Sequence, residues 1–177
     1  MHRIHDRDVL QTERGFSLIE TMIALGVLAI VAAGVLPLGI VATKATENQG
    51  HLMARSTEYA QDKLEQLLAL AYGDEITDTR VFPADPDGGS GLAVGGSSDP
   101  DAPADTYVDY LDIDGNVLDS DGGDAPADWF YVRVWQIGSP RANLKRITVV
   151  TKVRSSALGG PGRIPESTVS ALKTFPF

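Results

Sequence analysis

A stretch of 23 residues without one charge, Thr21–Thr43 (TMIALGVLAIVAAGVLPLGIVAT), limits what this chain can fold into. As a helix rising about 1.5 Å per residue it measures roughly 35 Å, enough to cross a hydrocarbon core of about 30 Å. A small domain seldom encloses so long an apolar helix, so one membrane span is the direct reading. Arg3, Arg7 and Arg14 precede the run, while Lys44 and Arg55 follow it, which leans toward a cytoplasmic N-terminus. Glu20 stands at the start of the run, one helical turn after Phe16. A carboxylate costs about 2.5–3.5 kcal/mol at mid-membrane and less near the interface. It therefore either reaches water or meets a partner charge.

Composition removes several functions. The chain has no cysteine, which excludes disulfides, cysteine-ligated zinc and thiol catalysis. The formal net charge is −9. Because Arg3, Arg7 and Arg14 cancel Asp6, Asp8 and Glu13, the excess acid lies after Gly15, and no nucleic-acid contact is expected. His2, His5 and His51 are the only histidines, two before Gly15 and one on a helical segment. No Ser/His/Asp set or phosphate loop is visible, so the chain is not expected to be an enzyme.

An ordinary secretory signal has a shorter apolar region followed by its cleavage site. Here Gly15-Phe16 lies in front of the run. The stretch "RGFSLIE" with the apolar run behind it resembles the class III signal of type IV pilins and type II secretion pseudopilins. The resemblance, over about Arg14–Leu38, implies that prepilin peptidase cuts after Gly15 on the cytoplasmic side and methylates Phe16. It makes Glu20 the fifth residue of the mature chain, where in that family it guides docking against a neighbouring N-terminus. Cleavage would create an ammonium on Phe16, one turn from Glu20. Pairing with that ammonium, or a neighbour's, would offset part of the desolvation of both charges. Family leaders are usually short and net basic; this one is net neutral. Pro37 falls where family pilins often carry a proline, and is expected to kink or loosen the helix. Gly26, Ala29, Ala32, Ala33 and Gly34 give surfaces suited to close helix packing.

After Lys44 the pattern turns amphipathic. Met53, Ala60, Leu64, Leu67 and Ala71 form one stripe, expected to pack on a sheet, and Gly73-Asp74 ends the helix. Phe82–Asp105 is rich in Gly, Pro, Asp and Ser; it reads as a loop that cannot bury a core, mobile unless packing or metal orders it. Alternation marks strands at Tyr107–Ile113, Trp129–Ile137 and Leu144–Ser155, with a tight turn at Asp114-Gly115 and a hairpin loop over Gly138–Asn143. Gly159–Gly162 ends regular structure, and Ile164–Phe177 reads as a tail.

The expected fold is α+β: three or four antiparallel strands against the amphipathic half of a long N-terminal helix, whose first half spans the membrane. That this layout is pilin-like comes from the resemblance. The divisions are a cleaved leader at 1–15, a membrane and filament-core helix at 16–43, an amphipathic half at 44–72, and a sheet domain at 73–177 with a long loop at 83–105.

From Pro83 to Asp128 there are twelve Asp and no Glu, Lys or Arg. Asp112, Asp114, Asp119 and Asp121 are candidates for calcium, which takes six to eight oxygen ligands. EF-hand spacing is not met, since the sixth position from Asp112 is Val117 and from Asp119 is Asp124. A solvated acidic turn is the simpler expectation, and no other cofactor is implied.

The resemblance implies a structural subunit of a type IV pilus. "FSLIETMIALGVLAI" is most like minor pilins of the PilV type and the pseudopilin I group. Its partners would be prepilin peptidase, the inner membrane before assembly, and other pilins in a periplasmic or extracellular filament. A type II secretion pseudopilin is the alternative, and a membrane-anchored periplasmic binding domain is an alternative of another class.

Overall fold

A computed structural model describes residues 16–120, 124–155 and 164–175. It contains one helix, α1 (Leu18–Ala69), and six strands: β1 (Gly95–Gly96), β2 (Val108–Leu111), β3 (Val117–Leu118), β4 (Tyr131–Arg141), β5 (Leu144–Val153) and β6 (Glu166–Thr174). By contacts the chain divides into Met1–Thr46 and Glu47–Phe177.

In the first unit, every described residue from Phe16 to Lys44 is exposed. In the second, the strands form one antiparallel sheet in the order β3-β2-β4-β5-β6, with β1 paired to β4. The α+β expectation holds, with one long helix whose later part packs on an antiparallel sheet.

Period-two patterning explains the centre. Leu111, Tyr131 and Val153 stand in one register row and pack with Tyr59 of α1. Trp135, Val149, Ile137 and Ile147 pack with Ala60 and Leu67. Ala60, Leu67, Ile147 and Val149 on this side are all fully buried. The opposite face carries Val108, Tyr110, Val132, Val134 and Val150. Lys152 shares that face and holds Asp101 at 2.5–2.6 Å, which draws the preceding loop across it.

The apolar stripe of α1 differs from the expected one. Met53 is 48 % exposed and Ala71 is exposed, while the buried face runs Ser56, Tyr59, Ala60, Lys63 and Leu67. That face keeps helical spacing, but Ser56 and Lys63 disguise it as polar. Leu64 is only partly buried.

The long loop also departs from expectation. Leu92 is fully buried in the main core, and Gly95 and Gly96 pair with Ile137 and Gln136. Gly96 has φ +84°, and a Cβ there would lie 2.1 Å from the Trp135 carbonyl oxygen. Glycine at that position lets a second backbone approach β4 closely. At the β2–β3 turn, Gly115 adopts φ +93°, and its missing side chain makes room for the Tyr59 ring.

Two strand boundaries are corrected. β4 and β5 continue through most of the expected hairpin loop, with an irregularity between Gly138 and Arg141 that accommodates Pro140. Residues 166–174, expected as tail, form β6 along the whole of β5. An edge strand buries one face only, so it needs little apolar signal: Val169 alone of its residues packs on the main core. Lys173 reaches back to donate to the Leu68 and Leu70 carbonyls, and Lys145 donates to the Tyr72 and Leu92 carbonyls. Lys173 thereby satisfies acceptors at the end of α1, whose last turn has no basic residue of its own.

Candidate functional site

Gly15 falls outside the described residues, as does the rest of 1–15. Phe16 is 81 % exposed. Ser17 caps α1: the Glu20 N–H donates to its carbonyl at 3.0 Å and to its hydroxyl oxygen at 3.2 Å. Sequence reasoning passes over Ser17, although the Ser-x-x-Glu spacing of a capping box marks it. Glu20 therefore sits in the first turn, where its charge also suits the positive end of the helix. Its side chain is exposed.

The surface that follows is apolar on every side. Leu18, Ile19, Met22, Ile23, Leu25 and Leu28 are each more than 60 % exposed, and so are Ile30, Leu36 and Leu38. A Cβ added at Gly26, Gly34 or Gly39 would meet nothing within 4 Å. Residue 37 is helical on both sides, but as a proline it offers no N–H to the carbonyl one turn earlier. So large an apolar surface is stable only against lipid or other chains.

Of the calcium candidates, Asp112, Asp114 and Asp119 lie among the described residues and do not gather with a third carboxylate or histidine as a metal site. Asp112 spends its carboxylate on its own turn: Oδ1 accepts from the Asp114 and Asn116 N–H groups at 2.9 and 2.8 Å, and Oδ2 accepts from the Asn116 amide at 2.8 Å. The Asn116 side chain and these backbone donors hold the Asp112 carboxyl below the usual range. Asp119 lines a cleft of about 580 Å³ together with Asp62 and Arg133. Asp121 lies outside the described residues. Among the described residues no three histidine or carboxylate side chains gather as a metal site.

The strongest electrostatics lie between α1 and the sheet, in residues that sequence reasoning did not single out. Asp109 is fully buried and accepts from Arg133 Nε at 2.7 Å, Arg133 NH2 at 2.8 Å and Lys63 Nζ at 2.8 Å. Lys63 also donates to the Thr79 carbonyl, and its ammonium lies 4.1 Å from the centre of the Trp135 ring. Burial works against the Asp109 charge, but Arg133 and Lys63 outweigh it and hold its carboxyl below the usual range. Two cations share one anion, and arginine does not release its proton. Burial therefore pushes Lys63 down, to about 8, despite the attraction of Asp109.

This has a sign. Between pH 8 and 10.5 the unfolded lysine keeps its proton while the folded one has lost it, so stability rises with pH there. At about 1.4 kcal/mol per pK unit the full rise is on the order of 3 kcal/mol. Tyr59, Tyr110 and Tyr131 have raised pKa values, chiefly from burial, so their contribution falls above about 10 and opposes it. Urea titrations from pH 7 to 10 should show the rise in the parent chain and a much smaller one in Lys63→Met, where burial still lowers the Lys173 pKa. A flat profile in both contradicts the assignment.

No curated protein and no solved structure matches this chain. Residues 10–36 match the family model described as the prokaryotic N-terminal methylation motif. The chain thus carries the class III signal of type IV pilins, and Gly15, Phe16 and Glu20 fall within the matched residues.

Proposed function

We propose that this protein is a non-catalytic structural subunit of a type IV pilus, a minor pilin. Prepilin peptidase cuts it after Gly15 and methylates Phe16. It waits in the inner membrane as a single-pass protein, then enters a periplasmic or extracellular filament through its N-terminal helix. The observation that supports this most is the methylation motif running into a helix exposed from Phe16 to Lys44. A chain that merely needed anchoring requires the span but not the Gly-Phe-x-x-x-Glu pattern in front of it. The filament gives the exposed helix a second apolar environment after lipid, and gives Glu20 a cation.

Intact-mass measurement of membrane-extracted protein tests the processing step. Cells with the peptidase should yield a chain beginning at Phe16 and bearing one added methyl group. Gly15→Leu places a branched side chain at the cut and should leave only precursor. A precursor retaining Met1–Gly15 in peptidase-positive cells overturns the reading.

A further inference from the structure

Besides the Lys145–Lys173 pair near the end of α1, one polar row crosses the middle of the helix-facing side of the sheet. Asp109, Arg133, Thr151 and Ser167 stand opposite one another on β2, β4, β5 and β6. The row separates two apolar clusters, one around Tyr59, Leu111 and Tyr131 and one around Ala60, Leu67 and Trp135. Helix α1 meets the row at two places. Lys63 holds Asp109 at 2.8 Å, and the Thr57 hydroxyl lies 2.9 Å from that of Ser167. Arg133 adds a bond from NH1 to the Tyr59 carbonyl at 3.4 Å.

We propose that this row is a register lock: it admits α1 onto the sheet at one helical position only. The apolar contacts specify position mainly through Tyr59, whose ring fills the space left at Gly115. Ala60 and Leu67 lie two turns apart on the same face, and apolar side chains at that spacing can be displaced by a turn while still meeting apolar side chains. The polar row removes that freedom. A slip of about four residues would set Tyr59 or Leu67 over Asp109 and carry the Lys63 ammonium onto an apolar row. Asp109 would keep Arg133, but the lysine would be buried without a carboxylate, which a folded chain tolerates poorly. The lock thereby fixes which residues of α1 the sheet holds.

The absence of native cysteine allows a direct test on the full chain in detergent. Thr57→Cys/Ser167→Cys reports the register seen here. Met53→Cys/Ser167→Cys and Gln61→Cys/Ser167→Cys report slips of one turn in either direction. With Lys63, Asp109 and Arg133 intact, only the first pair should form a disulfide. In the background Lys63→Met/Asp109→Leu/Arg133→Met the fold should persist with an equal or higher melting temperature, because a buried ionic cluster replaced as a whole is often neutral or stabilising. At least one slipped pair should then bridge in about a tenth of chains or more, the scale of a populated minor state. Exclusive bridging of the 57/167 pair in that background overturns the proposal. So does failure of the triple variant to fold, which would make the row a source of stability rather than of register.

Discussion

Asp109→Ala is expected to destabilise the sheet unit by about 3–5 kcal/mol, the usual consequence of removing one partner from a buried ion pair. Alanine leaves the Arg133 guanidinium and the Lys63 ammonium, 2 % exposed or less, facing each other with no anion between them. Lysine can shed its proton and arginine cannot; without the attraction of Asp109 the Lys63 pKa falls further, so part of the loss returns as pH rises toward 8. A single domain is stable by only about 5–15 kcal/mol, so the variant should lose much of its margin. Thermal melts followed by circular dichroism measure it. A loss under about 1 kcal/mol, as for an exposed pair, would mean that water reaches these charges.

Glu20→Ala is expected to leave cleavage and membrane insertion unchanged and to reduce entry into filaments about tenfold or more. Removing a carboxylate from the edge of an apolar run makes insertion easier, so membrane content should not fall. What is lost is the counter-charge for an N-terminal ammonium in a desolvated contact. If that pairing contributes about 1.4 kcal/mol, incorporation falls tenfold. Glu20→Gln should fail similarly, since it keeps the shape and lacks the charge. The capping bond to Ser17 uses the Glu20 backbone N–H, so helix initiation survives both changes. Sheared filaments blotted against whole-membrane fractions give the ratio. Equal incorporation of Glu20→Gln and the parent chain would remove the charge from the assembly step.

What the amino-acid order discloses depends on how local each signal is. Gly15, Phe16, Glu20 and the uncharged run lie within 29 residues, so their spacing is readable directly. The β4–β5 pair is readable for the same reason: each strand alternates by itself, and a short connection sets the register. The buried cluster is different. Asp109 and Arg133 are 24 residues apart, and Lys63 is 46 from Asp109. They meet only because β2 pairs with β4 in one register and α1 lies across both. A stripe drawn through apolar residues alone omits Ser56 and Lys63 and therefore falls toward Met53 and Ala71. In β6 the apolar signal is weak because an edge strand has little to bury. The ordering of Leu92 and Gly95-Gly96 depends on a partner strand some 40 residues later, which composition does not reveal.

A filament subunit must be found in the filament, so the decisive measurement is the mass of the chain in sheared, washed filaments from cells that express it. A species beginning at Phe16, methylated, is expected there with the other subunits, and it should be absent when the peptidase is removed. A chain found only in membranes, with filaments free of it, is no filament subunit even if cleavage has occurred.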